Sequence, residues 1–326
     1  MRGLYTVFNK ELADFLLSWR GIILFAVALL VTVVAIYGPA GALINIRAQI
    51  EEPTQFGQTQ FIFLTLFTVS GEAVEASFLS FITMFVVPIV GIVLGFDAIN
   101  RERSDGTLSR LLSQPIYRDT VFNGKFLAGV VTMAILLTSI VLLVGGLGMR
   151  AIGVPPSSEE ALRLLLFLVL TTLYGAFWLG LSMLFSVLFE RVATSAMASI
   201  AIWIFFLLYT LTGFIPSAIA NLQAPLSESP TNAEIIRNAT IQITATRVSP
   251  IYLFQEAMYV LLAPGARTAT EYLQIYASGA EWMPGTLPIG QTMITIWPHL
   301  VIFVALAAVC FGVSYYRFTR EEIRST

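Results

Sequence analysis

The sequence predicts an all-α integral membrane protein with six transmembrane helices, and three observations support this class. Hydrophobic residues make up 57% of the 326 residues and charged residues only 12%, about half of the charged fraction that soluble domains carry. Apolar runs of the ~20 residues that cross a bilayer recur along the chain. Basic residues collect in alternate connecting segments, which is typical of a multi-pass topology.

Residues 1–20 predict an amphipathic helix that lies on the membrane surface. Its apolar residues recur from Leu4 to Trp19 at spacings of four, four, three and four, which places them on one helical face. An ordinary solvated lead-in to the first span is the alternative, but the apolar stripe and its terminal tryptophan favour an interfacial helix. The residues assigned to this interfacial helix are Phe8, Glu11, Leu12, Phe15 and Trp19.

Six apolar segments follow, and each is predicted to span the membrane. Their approximate bounds are residues 21–44, 78–97, 126–149, 161–189, 192–215 and 292–316. The first comes after a long segment that contains acidic residues, so we expect an uncleaved helix rather than a signal peptide. In the second, Gly91 and Gly95 permit close helix packing, either within one subunit or at a seam between two subunits.

A long segment between the fifth and sixth spans is predicted to form an ordered extracytoplasmic cap. Its apolar residues are too frequent for disorder, and Ser249-Pro250 marks the start of a helix within it. Hydropathy also allows a re-entrant piece near Phe61 or Ile251. The apolar face of the cap helix is predicted to comprise Ile251, Phe254, Met258 and Leu261. The predicted domains are residues 1–20, 21–216 with a loop at 98–125, 217–291, 292–316 and 317–326.

The distribution of basic residues predicts that both termini are cytoplasmic. With the termini inside, twelve of the 18 Lys and Arg residues fall in inner segments and six in outer segments, although the outer segments contain more residues. A basic excess in short loops marks the cytoplasmic side of a membrane. We therefore expect a multi-pass protein of the cell membrane.

The residue sets that nucleotide, metal and catalytic sites require are missing from the sequence. Gly124-Lys125 is followed by Phe126 and lacks the upstream glycine of a phosphate-binding loop. One histidine, His299, and one cysteine, Cys310, are too few for a Cys/His metal site. The basic residues follow the topology and do not gather into one patch, which argues against a nucleic-acid partner. We therefore expect no catalytic residue, no metal and no cofactor bound by this chain.

The spans are predicted to be nearly free of ionisable groups, unlike those of secondary transporters and pumps. Asp97 and the pair Glu190 and Arg191 are expected at inner helix ends, in contact with water. His299 is the one candidate at membrane depth. For this residue a histidine hydrogen-bonded between helices is favoured over a proton relay.

The loop at residues 98–125 is the most strongly charged segment of the chain. Ser104 or Asp105 can cap a short helix in this loop, and Pro115 ends it. The apolar positions of that helix are Leu108, Leu111 and Leu112, and the basic residues of the loop are Arg101, Arg103, Arg110, Arg118 and Lys125. A short amphipathic helix between two spans is a suitable handle for a soluble partner.

This loop resembles the first cytoplasmic loop of ABC transporter permeases of the ABC-2 type exporter class. The matching positions are Glu102, Arg103, Gly106, Thr107, Leu108, Leu111, Leu112, Ser113, Pro115, Arg118, Gly124 and Lys125. The opening Asn-Lys-Glu-Leu at residues 9–12 and the six-span layout agree, so the resemblance covers the whole chain. The long outer segment is most similar to the branch that includes permeases for copper-enzyme maturation and gliding motility.

The resemblance implies a set of partners and a mechanism. Two permease subunits, identical or different, would pair in the membrane above two copies of a separate ATPase subunit that binds ATP and Mg. Residues 106–113 would form a coupling helix that docks in a groove of the ATPase, with leucines in the groove and arginines at its rim. The implied contact residues are Glu102, Arg103, Gly106, Thr107, Leu108, Arg110, Leu111, Leu112, Ser113 and Pro115.

These expectations lead to three functional hypotheses. The first is the permease subunit of an ATP-driven exporter with an unidentified, hydrophobic or lipid-like substrate. The second is a mechanical partner through which the same ATPase drives an extracytoplasmic protein without solute transport, in keeping with the sparse polarity of the spans. A secondary transporter or channel is the third, and the lack of buried charge disfavours it. Membrane lipid is an expected partner in each case.

Overall fold

A computed structural model describes residues 2–37, 61, 63–64, 67, 81–104, 106, 118–153, 155–278 and 285–320. Within these ranges all regular secondary structure is helical, as the sequence predicts. The helices are, in chain order, α1 (Arg2–Leu17), α2 (Trp19–Tyr37), a π-helical segment (Ile82–Val86), α3 (Val87–Gly95), α4 (Asn100–Ser104), α5 (Arg118–Ile152), α6 (Ser158–Leu188), α7 (Val192–Thr212), α8 (Phe214–Gln223), α9 (Asn232–Thr246), α10 (Pro250–Leu262), α11 (Ala269–Ser278) and α12 (Ile289–Arg320).

The predicted membrane spans correspond to long apolar helices of the structure. The segments long and apolar enough to cross a membrane are Ile82–Ser104, Asp119–Arg150, Ser158–Leu188, Val192–Thr212 and Ile289–Arg320. A sixth arises when the bent pair Gly3–Leu17 and Trp19–Val34, at 58° to each other, is counted as one span. The class of an all-α integral membrane protein is therefore confirmed. Residues 38–44 of the first predicted span lie outside the described residues.

Helix α6 lies at the centre of the bundle, where α3, α5, α7, α10 and α12 pack against it. The glycine pair of α3 makes a close approach to it. A Cβ at Gly91 would lie 2.7 Å from the Cβ of Trp178, and one at Gly95 would lie 2.8 Å from the carbonyl oxygen of Leu179. The pair therefore packs within the subunit, which is one of the two alternatives that its spacing allows.

The apolar stretch before the second span packs on the start of α6. Its described residues Phe63, Leu64 and Phe67 are buried. The main-chain N–H of Phe63 donates to Oε1 of Glu160 over 2.9 Å. The same carboxylate forms a capping box with Ser157 at the first turn of α6, so one side chain both starts the helix and holds the neighbouring segment.

Helix α10 begins at the predicted Ser249-Pro250 start and lies inside the bundle. Its 13 residues extend ~20 Å, which is too short to cross a bilayer. The ring of Phe254 stacks on Tyr174 of α6 with 4.4 Å between the ring centroids. The residues of its predicted apolar face each have an exposure of 0%: Ile251, Phe254, Met258 and Leu261. The segment between the fifth and sixth spans thus contains a helix that packs against the spans, and whether it is re-entrant stays a prediction.

Candidate functional site

The predicted ATPase-contact residues lie in or beside the loop between α4 and α5. Glu102, Arg103 and Gly106 are described, and they lie where the loop begins. The others lie outside the described residues: Thr107, Leu108, Arg110, Leu111, Leu112, Ser113 and Pro115. The coupling helix therefore stays a prediction. The site that borders it, formed by α1, α4 and the first turns of α5, is called the loop end below.

Helix α4 stops just before the predicted coupling helix. The hydroxyl of Ser104 donates back to the carbonyl of Asn100 over 2.9 Å, and the N–H of Gly106 donates to the carbonyl of Arg103 over 3.2 Å. Gly106 has a φ of 66°, a left-handed conformation that glycine adopts without strain. The glycine of the motif is therefore the residue at which the chain turns away from α4.

A buried ion-pair cluster joins both flanks of the loop to the N-terminal helix. Nζ of Lys125, in the second turn of α5, lies 3.0 Å from Oε1 of Glu11 on α1 and 2.9 Å from Oε1 of Glu102 on α4. The side chain of Lys125 is only 6% exposed. We call Glu11, Glu102 and Lys125 the Lys125 cluster. Since its members come from three helices, displacement of either loop flank would strain the attachment of α1.

Apolar packing supports the same attachment of α1 to α5. Val7 is buried, and a Cβ added at Gly124 would lie 2.7 Å from its Cγ1. The most buried positions of α1 are thus Val7 and Glu11, at the edge of the predicted stripe. Trp19, in contrast, is 76% exposed. The stripe residues Phe8, Leu12 and Phe15 are half-buried.

An elbow between α1 and α2 sets the angle of 58° between the two helices. The hydroxyl of Ser18 accepts a hydrogen bond from the N–H of Gly21 over 3.1 Å, which is how serine caps a new helix. A Cβ at Gly21 would lie 1.6 Å from the carbonyl oxygen of Phe15, so only glycine fits this bend. These two residues form the bend between α1 and α2, and neither was predicted from the sequence to do so.

Asp97 connects the elbow to the chain that leads into the loop. Its Oδ2 lies 2.6 Å from Nη1 of Arg20 and 3.6 Å from Nη1 of Arg101. The Asp97 side chain is 13% exposed, so it is paired and partly covered at this helix end. The cause is the elbow, which brings Arg20 over the end of α3. Glu190 and Arg191 are exposed, as expected.

A second ion-pair cluster lies at the opposite end of the bundle, called the cap end below. Both oxygens of Glu256 on α10 bind Arg247, over 2.7 and 2.9 Å. Its Oε1 also accepts a hydrogen bond from the main-chain N–H of Ala269 over 3.1 Å. Its Oε2 lies 3.1 Å from Nε2 of His299 on α12. Burial raises the pKa of Glu256, but the hydrogen bonds from His299 and Arg247 outweigh it and lower the pKa to about 2.

Arg163 of α6 is a fully buried cation at the cap end. It pairs with Glu159 over 2.8 Å and donates to the carbonyl of Leu261 over 2.9 Å and to that of Leu287 over 2.6 Å. Arg163 is therefore one ionisable group whose burial was not predicted from the sequence. Arg163 can be buried because main-chain carbonyls satisfy its guanidinium.

A helical bundle of membrane-length segments, with α1 fastened beside a connecting loop, defines a multi-pass membrane protein. The chain belongs to the ABC-2 family of transporter proteins, since the model of that family matches residues 5–323. It is similar to the probable ABC transporter permease protein NosY of Pseudomonas aeruginosa, with 29% identity over 212 residues, 64% of this chain and 68% of that protein. Both findings confirm the resemblance to ABC-2 permeases.

Among the described residues, no group of three or more His, Cys, Asp and Glu side chains could hold a metal ion. The absence of a resident cofactor stays a prediction. At the loop end, ionic groups of α1, α4 and α5 bind one another, so this site joins helices that are distant in the sequence.

Proposed function

We propose that this permease subunit couples ATP hydrolysis by two separate ATPase subunits to export, and that force enters it at the loop end. The Lys125 cluster is the observation that carries the proposal. It fastens α1 to both flanks of the loop that resembles the ATPase-binding loop of the family. ATP and Mg would be bound by the ATPase subunits, and a second permease subunit would complete the assembly.

In this mechanism, closure of the ATPase pair displaces the coupling helix, and α4 and α5 follow it. Glu11 couples α1 to that motion through Lys125, because separating them would leave buried charges without partners, which costs about 3–5 kcal/mol. The elbow at Gly21 lets α1 change its angle to α2. Rigid-body motion of helices about such a point is a common way to switch a transporter between two states.

The proposal is tested by the substitution Leu111→Glu, with binding of the ATPase subunit as the measurement. A carboxylate in an apolar groove should release the ATPase while the permease stays folded in the membrane. Leu222→Glu is the matched control, since Leu222 is 84% exposed on α8. Co-purification of the ATPase with the Leu111 variant at undiminished yield would remove the coupling role from this loop.

A second candidate function is force transmission to an extracytoplasmic protein without solute transport. It is favoured by the attachment of the cap helices to the spans, through Glu256 to His299 and through Leu261 to Arg163. Motion of the spans would reach the cap through these bonds. ATPase activity of the complex in liposomes separates the two candidates: export predicts stimulation by a substrate, and force transmission predicts dependence on an outer partner.

A further inference from the structure

The second span begins with one turn of π-helix at Ile82–Val86, called the π-turn below. At its end the N–H of Val87 donates to the carbonyl of Ile82, five residues back, whereas an α-helix would use the carbonyl four residues back. Pro88 follows at the start of α3. In an unbroken α-helix the ring of Pro88 would clash with the carbonyl of Met84, and the wider π-turn relieves this clash. The proposed coupling mechanism makes no use of this turn.

Two main-chain carbonyls at the π-turn lose their α-helical donors, for different reasons. The carbonyl of Thr83 would accept from Val87 in an α-helix, but that N–H is bonded to Ile82. The carbonyl of Met84 loses its donor because residue 88 is a proline and has no N–H. A buried carbonyl without a donor is costly, so both carbonyls require donors from elsewhere in the fold.

Two side chains on neighbouring helices supply these donors. The hydroxyl of Tyr174 on α6 donates to the carbonyl of Thr83 over 3.0 Å. Nε1 of Trp203 on α7 donates to the carbonyl of Met84 over 2.8 Å. Thr83 and Tyr174 are each 0% exposed, so water does not compete for the first of these bonds. Neighbouring helices thus satisfy the backbone groups that a proline and a π-turn set free, as membrane helices require.

The two donors have different roles, because only one of them depends on the π-turn. If the turn rewound into an α-helix, the N–H of Val87 would return to Thr83, and the hydroxyl of Tyr174 would lose its acceptor. The proline denies Met84 its α-helical donor in either arrangement, so the bond from Trp203 is needed in both. Tyr174 therefore favours the π-turn, whereas Trp203 compensates for the proline.

We propose that the second span has two backbone registers at this point, and that Tyr174 is the positioning residue that selects the π-turn. Conversion of a π-turn into α-helix turns the chain before it by about 100° relative to the chain after it, the rotation that belongs to one residue. Gly91 and Gly95 pack α3 closely on α6, so the chain before the turn is the part that rotates. The switch would change the face that Phe81 presents to the bundle. It does not require that the chain couple ATP hydrolysis to export.

The experiment measures distances by electron paramagnetic resonance in the purified full chain, with Cys310 replaced by serine. One pair of spin labels is placed at Phe81, before the turn, and at Leu165 on α6, which is 57% exposed. The control pair joins Leu165 to Ile89, which lies after the turn and is 38% exposed. Tyr174→Phe should raise the population of a second Phe81–Leu165 distance about tenfold, as expected for one lost bond to a buried carbonyl. The Ile89–Leu165 distance should stay unchanged.

Two further variants separate selection of the register from a general loss of stability. Pro88→Ala removes the clash and supplies the missing N–H, so it should populate the same second distance as Tyr174→Phe. Trp203→Phe removes a hydrogen bond that both registers need, so it should keep the wild-type distance although it lowers the thermal unfolding midpoint. Tyr209→Phe is the matched control for Tyr174→Phe, since it removes a hydroxyl bond to the main-chain carbonyl of Ala245 on α9, and it should leave both distances unchanged.

Size-exclusion chromatography checks that each variant remains folded and monodisperse. The proposal is overturned if folded Tyr174→Phe or folded Pro88→Ala keeps the wild-type Phe81–Leu165 distance. It is also overturned if Trp203→Phe populates the second distance as strongly as Tyr174→Phe, because the lost bond would then act on stability alone. If Tyr174→Phe does not fold, the Pro88→Ala result decides.

Discussion

The two ends of the bundle hold buried charge in opposite ways. At the loop end one cation, Lys125, serves the two carboxylates Glu11 and Glu102. At the cap end one carboxylate, Glu256, is surrounded by donors from Arg247, His299 and the main chain. In the first arrangement two carboxylates share one buried cation beside a cavity, whereas the acceptor atoms of the second are fully used. The difference indicates a loop end that can change its angle to α2 and a cap end that holds its shape.

The interactions of the two ends support the same contrast. Exposed Lys10 lies 3.4 Å from the Glu11 carboxylate, so a second cation is within reach if Lys125 moves. At the cap end, Arg163 donates to the main-chain carbonyls of Leu261 and Leu287. These hydrogen bonds cannot break unless α10 and the segment before α12 move. Force applied at the loop end would therefore change the angle between α1 and α2 before it loosens the cap end.

The largest effect is expected from Lys125→Met. This substitution removes the buried cation that Glu11 and Glu102 share, which should lower the free energy of unfolding by about 3–5 kcal/mol. The measurement is the thermal unfolding midpoint of the purified protein in detergent. Lys125→Arg keeps the cation and should retain most of the stability, and Lys10→Gln, at an exposed residue, should change little. If Lys125→Met had the same unfolding midpoint as the wild type, the Lys125 cluster would not be what holds α1.

A smaller effect is expected from Glu256→Gln, about 2–3 kcal/mol, since charge-assisted bonds to Arg247 are lost. The lowered pKa of Glu256, about 2 against 4.5, stabilises the fold above pH 4.5 and ceases to do so as the pH falls toward 2. The difference in unfolding midpoint between wild type and variant should be constant above pH 5 and shrink below it. A difference that grows on acidification would contradict this account of the cap end.

The smallest effect is expected from Gly124→Ala, about 1–3 kcal/mol. The added methyl group would lie 2.7 Å from Val7 Cγ1 and push α1 away from α5. Gly146→Ala is the matched control, because a Cβ at Gly146 on the same helix meets nothing within 4 Å. Hydrogen exchange of α1 measures the detachment, and Val7→Ala should restore protection. If Val7→Ala did not restore the protection of α1, the contact between Gly124 and Val7 would not be what positions this helix.

Structural features that depend on residues close together in the sequence could be predicted from it. Apolar runs located the spans, Ser249-Pro250 located the start of α10, and Gly91 with Gly95 indicated a close helix contact. Those features follow from local propensity, length and spacing.

Features that depend on residues distant in sequence were not predictable in this way. Glu11 was noted in the N-terminal helix and Glu102 and Lys125 in the loop, but no spacing along the chain shows that three helices bring them together. Arg163 was not predicted to be buried, because hydropathy does not reveal the carbonyls that surround it. The Gly21 elbow was missed, although serine followed three residues later by glycine at the start of an apolar run is a signal for it.

The most direct test of the central claim measures distances by electron paramagnetic resonance between spin labels at exposed positions. One pair, Tyr5 on α1 and Leu127 on α5, lies within the loop end, and the other, Tyr5 and Leu222 on α8, connects the two ends. The complex with the ATPase subunits is measured with and without ATP and Mg, with Cys310 replaced by serine. The account predicts an unchanged Tyr5–Leu127 distance and a changed Tyr5–Leu222 distance. A changed Tyr5–Leu127 distance, or a Tyr5–Leu222 distance that stays fixed, would contradict it.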